Sequence, residues 1–155
     1  KWFEIYGLMN RSRTAILAIQ ESHLTDNLAA SISRAFETKL SLFHSALPEM
    51  NNAAGVAFVS NRGLINPDLT TCEEIIPGRA ILTKVQWHSG STIKILNIYT
   101  PNITKDNEKF WEDLKDITAR NLALKPNLML GDFNLVEGCL DRLPSLGARV
   151  GLLCQ

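Results

Sequence analysis

The 155-residue chain predicts an α/β (α+β) domain, with mainly antiparallel sheets and helices packed outside them. Three observations predict this. Compact apolar runs of strand length alternate with amphipathic stretches of helical period. The central runs are joined by turns too short for the crossover that parallel neighbours need. Apolar residues make up 45% of the chain and charged residues 21%, which supplies a core and argues against disorder.

KWFEIYGLMN (1–10) puts Trp2, Ile5 and Met9 on one face and predicts a short helix. TAILAIQ (14–20) reads as a buried strand that ends in Glu21-Ser22-His23. Thr25 or Asp26 can cap a helix whose apolar stripe is Leu28, Ile32, Phe36 and Leu40. LSLFHSAL (40–47) predicts a strand stopped by Pro48, and the polar EMNNAA (49–54) leads to a further strand, GVAFVSN (55–61). Gly63, Asn66 and Pro67 mark a turn. Two strands, 72–76 and 79–87, are split by Pro77-Gly78. HSGS (88–91) then forms a hairpin tip before TIKILNIY (92–99). After Pro101, Thr104 is expected to cap a helix over 105–124, with Phe110, Trp111, Leu114, Ile117 and Leu122 on its apolar face. Lys125-Pro126 stops it, and a last strand, Leu128-Met129-Leu130, runs into Gly131-Asp132-Phe133-Asn134. There are no internal repeats.

Lys plus Arg equals Asp plus Glu, 16 each. No global positive field exists, which counts against a non-catalytic DNA-binding module but says little about an enzyme with a local site. The three cysteines, Cys72, Cys139 and Cys154, are odd in number and form no C-x-x-C. A disulfide framework, a disulfide-linked partner or a zinc knuckle is not expected, and an intracellular, reducing compartment fits. No stretch is apolar enough to suggest a membrane partner, and no signal peptide is visible. Without an initiator Met the chain reads as a fragment or a processed piece.

Three strand ends carry polar groups: Glu21, the Tyr99–Asn102 segment, and Asp132 with Asn134. Each has a plain reading. A Glu after a strand faces solvent, Asp-x-Asn after Gly is turn chemistry, and a strand Tyr is a half-buried aromatic. Together they have another. Carboxylates without N/S ligands suit Mg²⁺ or Mn²⁺ rather than zinc. Phosphodiester hydrolysis needs a base for water, charge neutralisation at the phosphate, and neutral donors around phosphorus.

AIQESHL (18–24), GVAFVSN (55–61), NIYTPN (97–102) and LMLGDFN (128–134) stand in the order and rough spacing of the endonuclease/exonuclease/phosphatase family. The chain most resembles the apurinic-like endonuclease domain of non-LTR (LINE-type) retrotransposons, and GDFNLVEGCLDRLP (131–144) is similar to the fungal versions. The resemblance implies a four-layered α/β sandwich and metal-dependent nicking of DNA, with a nuclear location only by family analogy. It implies Glu21 as metal ligand, Tyr99 beside the scissile phosphate, and Asn102 after it. Asp132 would orient or deprotonate water, and Asn134 would position that aspartate and the phosphate. His23 falls where this branch often has His, as a substrate-side or plain loop residue.

The departures are specific. The family's first strand, with its Asn, would precede Lys1. No His follows His88, so the family's C-terminal S-D-H histidine has no counterpart. The resemblance covers 1–144, and SLGARVGLLCQ (145–155) does not match. The expectation is therefore an incomplete sandwich, Mg²⁺ (or Mn²⁺) held weakly by one recognisable ligand, and sheet edges open to self-association. Two other readings stay open: a small-molecule phosphodiesterase or phosphatase of the same superfamily, and a catalytically inactive retroelement remnant.

Overall fold

The computed structural model of the chain describes residues 1–47, 54–87 and 90–135. Expectations resting on Pro48, most of the 49–54 loop, His88, Cys139, Cys154, the 137–144 stretch, the limit at 144 and the 145–155 tail lie outside the described residues.

The elements run α1 (Trp2–Arg11), β1 (Ile16–Gln20), α2 (Asp26–Ala35), β2 (Leu40–Ser45), β3 (Val56–Asn61), β4 (Thr71–Ile76), β5 (Ala80–Gln86), β6 (Thr92–Tyr99), α3 (Thr104–Arg120) and β7 (Leu128–Asp132). Short 3₁₀ turns occupy Pro67–Leu69 and Leu122–Leu124. One sheet has the order β1-β3-β2, all antiparallel; the other has the order β4-β5-β6-β7. Within the second sheet β4-β5 and β5-β6 are antiparallel, and β6-β7 is parallel, joined by the α3 crossover that such a pair requires.

Period-two alternation builds four layers. On β3, Val56 and Phe58 point between the sheets, where they meet Ile81, Ile95 and Tyr99. Ala57 and Val59 point the other way, into a core with Met9, Ile32 and Phe36 of the α1–α2 layer. Every residue of β3 is buried for this reason. On β6 the alternation repeats: Ile95 and Tyr99 face inward, while Leu96 and Ile98 pack against Phe110 and Leu114 of α3. Burying each such side chain is worth about 1.5–3 kcal/mol. The expected α/β sandwich of two mainly antiparallel sheets with outer helices is the observed architecture.

Four local expectations need correction. Ala29, Ile32 and Phe36 form the buried stripe of α2, while Leu28 is exposed and Leu40 opens β2. The 3.6-residue period favours the 29-32-36 set over the strict four-residue series. Thr25 does cap α2, accepting from Leu28 N–H. Helix α3 starts at Thr104 with Ile103 as its N-cap, so no side-chain cap forms there. The helix ends at Arg120, where Asn121 caps a 3₁₀ turn that buries Leu124 and exposes Leu122. Finally, β2 stops at Ser45 rather than at residue 47.

One polar residue sits in the middle of the sandwich. Asn97 is fully buried on the inward face of β6. Its Nδ2 donates to Ile19 O (3.0 Å) and Ala57 O (2.9 Å), and its Oδ1 accepts from Gln20 Nε2 (2.6 Å). Both sheets are pinned by one satisfied amide. Among the described residues Cys72 is a free thiol, and burial pushes its pKa up to about 11. That keeps it protonated and unreactive.

Candidate active site

The C-terminal ends of β1, β6 and β7 reach the same edge of the sandwich, and the register explains how. In the parallel β6-β7 pair Tyr99 lies opposite Asp132. Across the sheets, Tyr99 Oη donates to Glu21 Oε1 at 2.5 Å. A carboxylate from one sheet is thus bonded to a phenol from the other, and that phenol is paired in register with a second acid.

Gly131 makes the β7 end possible. Its φ is +145°, and a Cβ there would lie 1.9 Å from Ile98 O. Only glycine lets β7 run that close to β6. Asp132 follows with its side chain exposed, and its Oδ1 accepts from Asn134 N–H at 3.0 Å. This is the Asx-type turn that the plain reading expects. Asn134 adopts φ 44° and turns its Nδ2 back onto Thr100 O at 2.7 Å. Thr100 in turn donates its N–H and its Oγ1 to Asp132 O, at 3.0 and 3.3 Å.

Glu21 also has a left-handed backbone, φ 48°. For a non-glycine, non-Asn residue that conformation is costly and draws attention to function. His23 shares φ 48° and ties its N–H to Ala54 O at 3.4 Å. The adjacent Ser22 N–H goes to Gly55 O at 3.0 Å. The loop after β1 is therefore clamped to the start of β3. His23 is exposed on that loop.

Asn102 lies on the other flank. With Asn107, Glu108, Trp111 and Asn134 it lines a groove of about 320 Å³ at the start of α3. The Trp111 ring stacks on Phe133, centroids 6.0 Å apart and planes 5° from parallel. Asn102 and Asn134 thus share one groove, while Glu21, Tyr99 and Asp132 form the adjoining rim.

The electrostatics keep Tyr99 neutral. Its pKa is raised above 10.0, first by the hydrogen bond to Glu21, then by burial and by the charges of Glu21 and Asp132. Arg79 opposes the shift: its guanidinium lies 4.9 Å from the Tyr99 ring centroid and donates to Tyr99 O at 3.3 Å. At neutral pH the phenol is a donor rather than a nucleophile.

Sequence reading missed two residues here, Arg79 and Asn107. Arg79 follows the Pro77-Gly78 turn and reads as an ordinary hairpin residue. Asn107 reads as one polar position in the first turns of a charged helix. Its only sequence signal is its place three residues before Phe110, on the buried side of α3.

A metal cage does not form from these residues. No group of three His, Cys, Asp or Glu side chains clusters among the described residues. Glu21 Oε1 is engaged by Tyr99, and Asp132 Oδ1 by Asn134 N–H. Mg²⁺ retains its waters and needs more than one free carboxylate to be held tightly. No helix among the described residues is long and apolar enough to cross a membrane.

No family model matches the chain. Over 142 residues, 92% of its length, it is 24% identical to the transposon TX1 uncharacterized 149 kDa protein of Xenopus laevis, and it spans 10% of that protein. Among solved structures it is similar to the AP endonuclease LMAP from Leishmania major, at TM-score 0.70 and 16% identity, covering 91% of this chain and 52% of that one. The Xenopus laevis APE2 catalytic domain gives TM-score 0.57 and 17% identity, with 84% and 53% covered. A functionally unknown conserved protein from Enterococcus faecalis V583 gives TM-score 0.61 and 15% identity, with 88% and 59% covered. The chain thus spans about half of the solved structures it resembles. The chain shares its fold with these AP endonuclease structures over about half of their length, and its sequence is similar to that of a transposon protein.

Proposed function

We propose that the chain is part of the DNA-nicking endonuclease domain of a retroelement and carries one corner of a phosphodiesterase site. The observation that carries this reading is the Glu21–Tyr99 hydrogen bond across the sheets, with Tyr99 opposite Asp132 in the β6-β7 register. A turn that merely capped backbone amides would need neither partner. The transposon relative supports the retroelement context.

In this reading DNA is the substrate. Asp132 is the base: its Oδ1 is held by Asn134 N–H, which leaves Oδ2 to accept a proton from the attacking water. Tyr99, kept protonated, presents a neutral donor at the rim for a phosphate oxygen. Asn102 and Asn134 hold the phosphodiester from the groove side, and Glu21 orients the phenol. His23 stands at the outer end of the same loop as a contact to the substrate backbone. Family members of this type use a divalent metal, and Glu21 is the ligand position that the resemblance implies. The described donor set does not complete a cage, so no step is assigned to a metal. Titration calorimetry with Mg²⁺ should find no site tighter than about millimolar, and a micromolar site would overturn that statement.

The lack of a three-ligand cluster among the described residues favours a second reading, an inactive remnant that keeps the fold. Supercoiled-plasmid nicking in Mg²⁺ separates the two. The endonuclease reading expects nicking by the chain and its loss in Asp132→Ala. Equal signal from both proteins sinks it. Turnover of a small phosphodiester without nicking would move the substrate to the small-molecule branch.

A further inference from the structure

We propose that Asn107, a buried residue on α3, is a positioning residue that locks the ends of β6 and β7 into the geometry of the site. This inference rests on the endonuclease reading. Asn107 is 4% exposed. Its Nδ2 lies 3.1 Å from Thr100 Oγ1, 2.9 Å from Pro101 O and 3.2 Å from Phe133 O. Thr100 and Pro101 follow β6, and Phe133 follows β7. One NH₂ group, with two protons, is therefore shared by three acceptors on the two strand ends that carry the candidate site.

Those acceptors belong to one connected ring. Thr100 donates twice to Asp132 O, and Asn134 Nδ2 returns to Thr100 O. The next residues out are Asn102 on one arm and Asp132 and Asn134 on the other. Asn107 itself also lines the groove between them. Its Oδ1 is buried without a partner, so the contacts that hold the side chain are the three donated ones. A residue placed only to stabilise α3 would be expected to bond within α3. Instead, Asn107 spends its donor group on the two loops, and its Nδ2 contacts none of α3's own carbonyls.

The charge logic gives a sharp test. Asn107→Asp keeps the shape but replaces the donor with a carboxylate facing carbonyl and hydroxyl oxygens, and so pushes the two ends apart. Asn134 and Asp132 then move relative to Tyr99. Misplacement by about an ångström is worth on the order of 10²-fold in rate.

The experiment compares the wild-type chain with Asn107→Asp at a temperature where circular dichroism shows both folded. Two readouts are taken: steady-state nicking kinetics, and the NMR signal and hydrogen exchange of the Asn134 side-chain amide. The expected result is a fall in kcat of about 10- to 100-fold with KM within about twofold. Alongside it, exchange of the Asn134 Nδ2 protons should rise about tenfold as the Thr100 bond opens. Loss of melting temperature alone, with kcat and the Asn134 signal unchanged, overturns the inference and leaves Asn107 a structural residue. If the wild-type chain does not nick, the endonuclease reading fails, and the Asn134 signal alone then decides the positioning role. If Asn107→Asp does not fold, Thr100→Val is measured in the same way. It removes, without adding charge, the hydroxyl that accepts from Asn107 and donates to Asp132 O, and an unchanged Asn134 signal there also overturns the inference.

Discussion

Among the polar links that join the sheets, two lie only two residues apart on β6. The interior link is Asn97 with Gln20, Ile19 O and Ala57 O. The rim link is Tyr99 with Glu21. Both put an inward-facing β6 side chain against the end of β1. They differ in every other respect. Asn97 is fully buried and both ends of its amide are satisfied, on regular strand backbone. Glu21 is exposed, sits at φ 48°, and raises the pKa of its partner. The first pattern is what a fold needs to keep two sheets in register. The second is what a site needs: an exposed charge held in a strained place beside a tuned donor. Chemistry-bearing residue types alone do not separate the two, but satisfaction and strain do.

The largest expected effect falls on the interior link. Asn97→Leu keeps the approximate volume but leaves Gln20 Nε2 without its acceptor and strips Ile19 O and Ala57 O of their second donor. It should lower stability by about 3 kcal/mol, since three buried hydrogen bonds are lost at about 1 each, as measured by the urea midpoint. A loss under about 1 kcal/mol would mean that the interior link is not structural and would dissolve the contrast.

Tyr99→Phe should cost less, about 1 kcal/mol, and should also change the pH dependence. The folded pKa of Tyr99 is raised above 10.0. Its stabilising contribution is therefore complete below the unfolded value and is lost as pH rises through the folded one. Urea midpoints at successive pH values above 10 should fall more steeply for wild type than for Tyr99→Phe. Parallel curves would remove the electrostatic half of the rim description.

The smallest effect is a difference at Glu21. Both Glu21→Ala and Glu21→Gly lose the hydrogen bond to Tyr99, at about 1 kcal/mol. Only glycine relieves the left-handed backbone, worth roughly 1 kcal/mol. Glu21→Gly should therefore be near neutral in thermal unfolding while Glu21→Ala is destabilised. Equal melting temperatures would show that the backbone there carries no strain.

Much of this was legible in the residues. The strand runs and their short turns gave two mainly antiparallel sheets, because period-two burial is written directly into VAFVSN and TIKILNIY. Glu21, Tyr99, Asp132 and Asn134 were named from strand ends and from family resemblance, and the fold brings Glu21 to Tyr99 and Asp132 to Asn134. What stayed hidden depends on long-range partners. Asn97 could have been noticed, since it shares strand parity with Ile95 and Tyr99 and so faces inward. Only Gln20, 77 residues away, explains how it is tolerated there. Asn107 and Arg79 gain meaning from loops that local sequence cannot bring together. Leu28 and Leu122 misled because a leucine near an apolar stripe reads as core, while a drift of about 40° per four-residue step or a change from α to 3₁₀ turns it outward.

The central claim is that Glu21 and Asp132 flank one neutral phenol at the rim. The chain has two tyrosines, so ring-labelled tyrosine NMR, assigned with Tyr99→Phe, follows Tyr99 directly through a pH titration. The account predicts that Tyr99 titrates above 10.0 in the wild-type chain and moves back toward that value in Glu21→Ala, because the hydrogen bond and the charge that raise it are both removed. A Tyr99 that titrates at or below its ordinary value, unmoved by Glu21→Ala, would contradict the account.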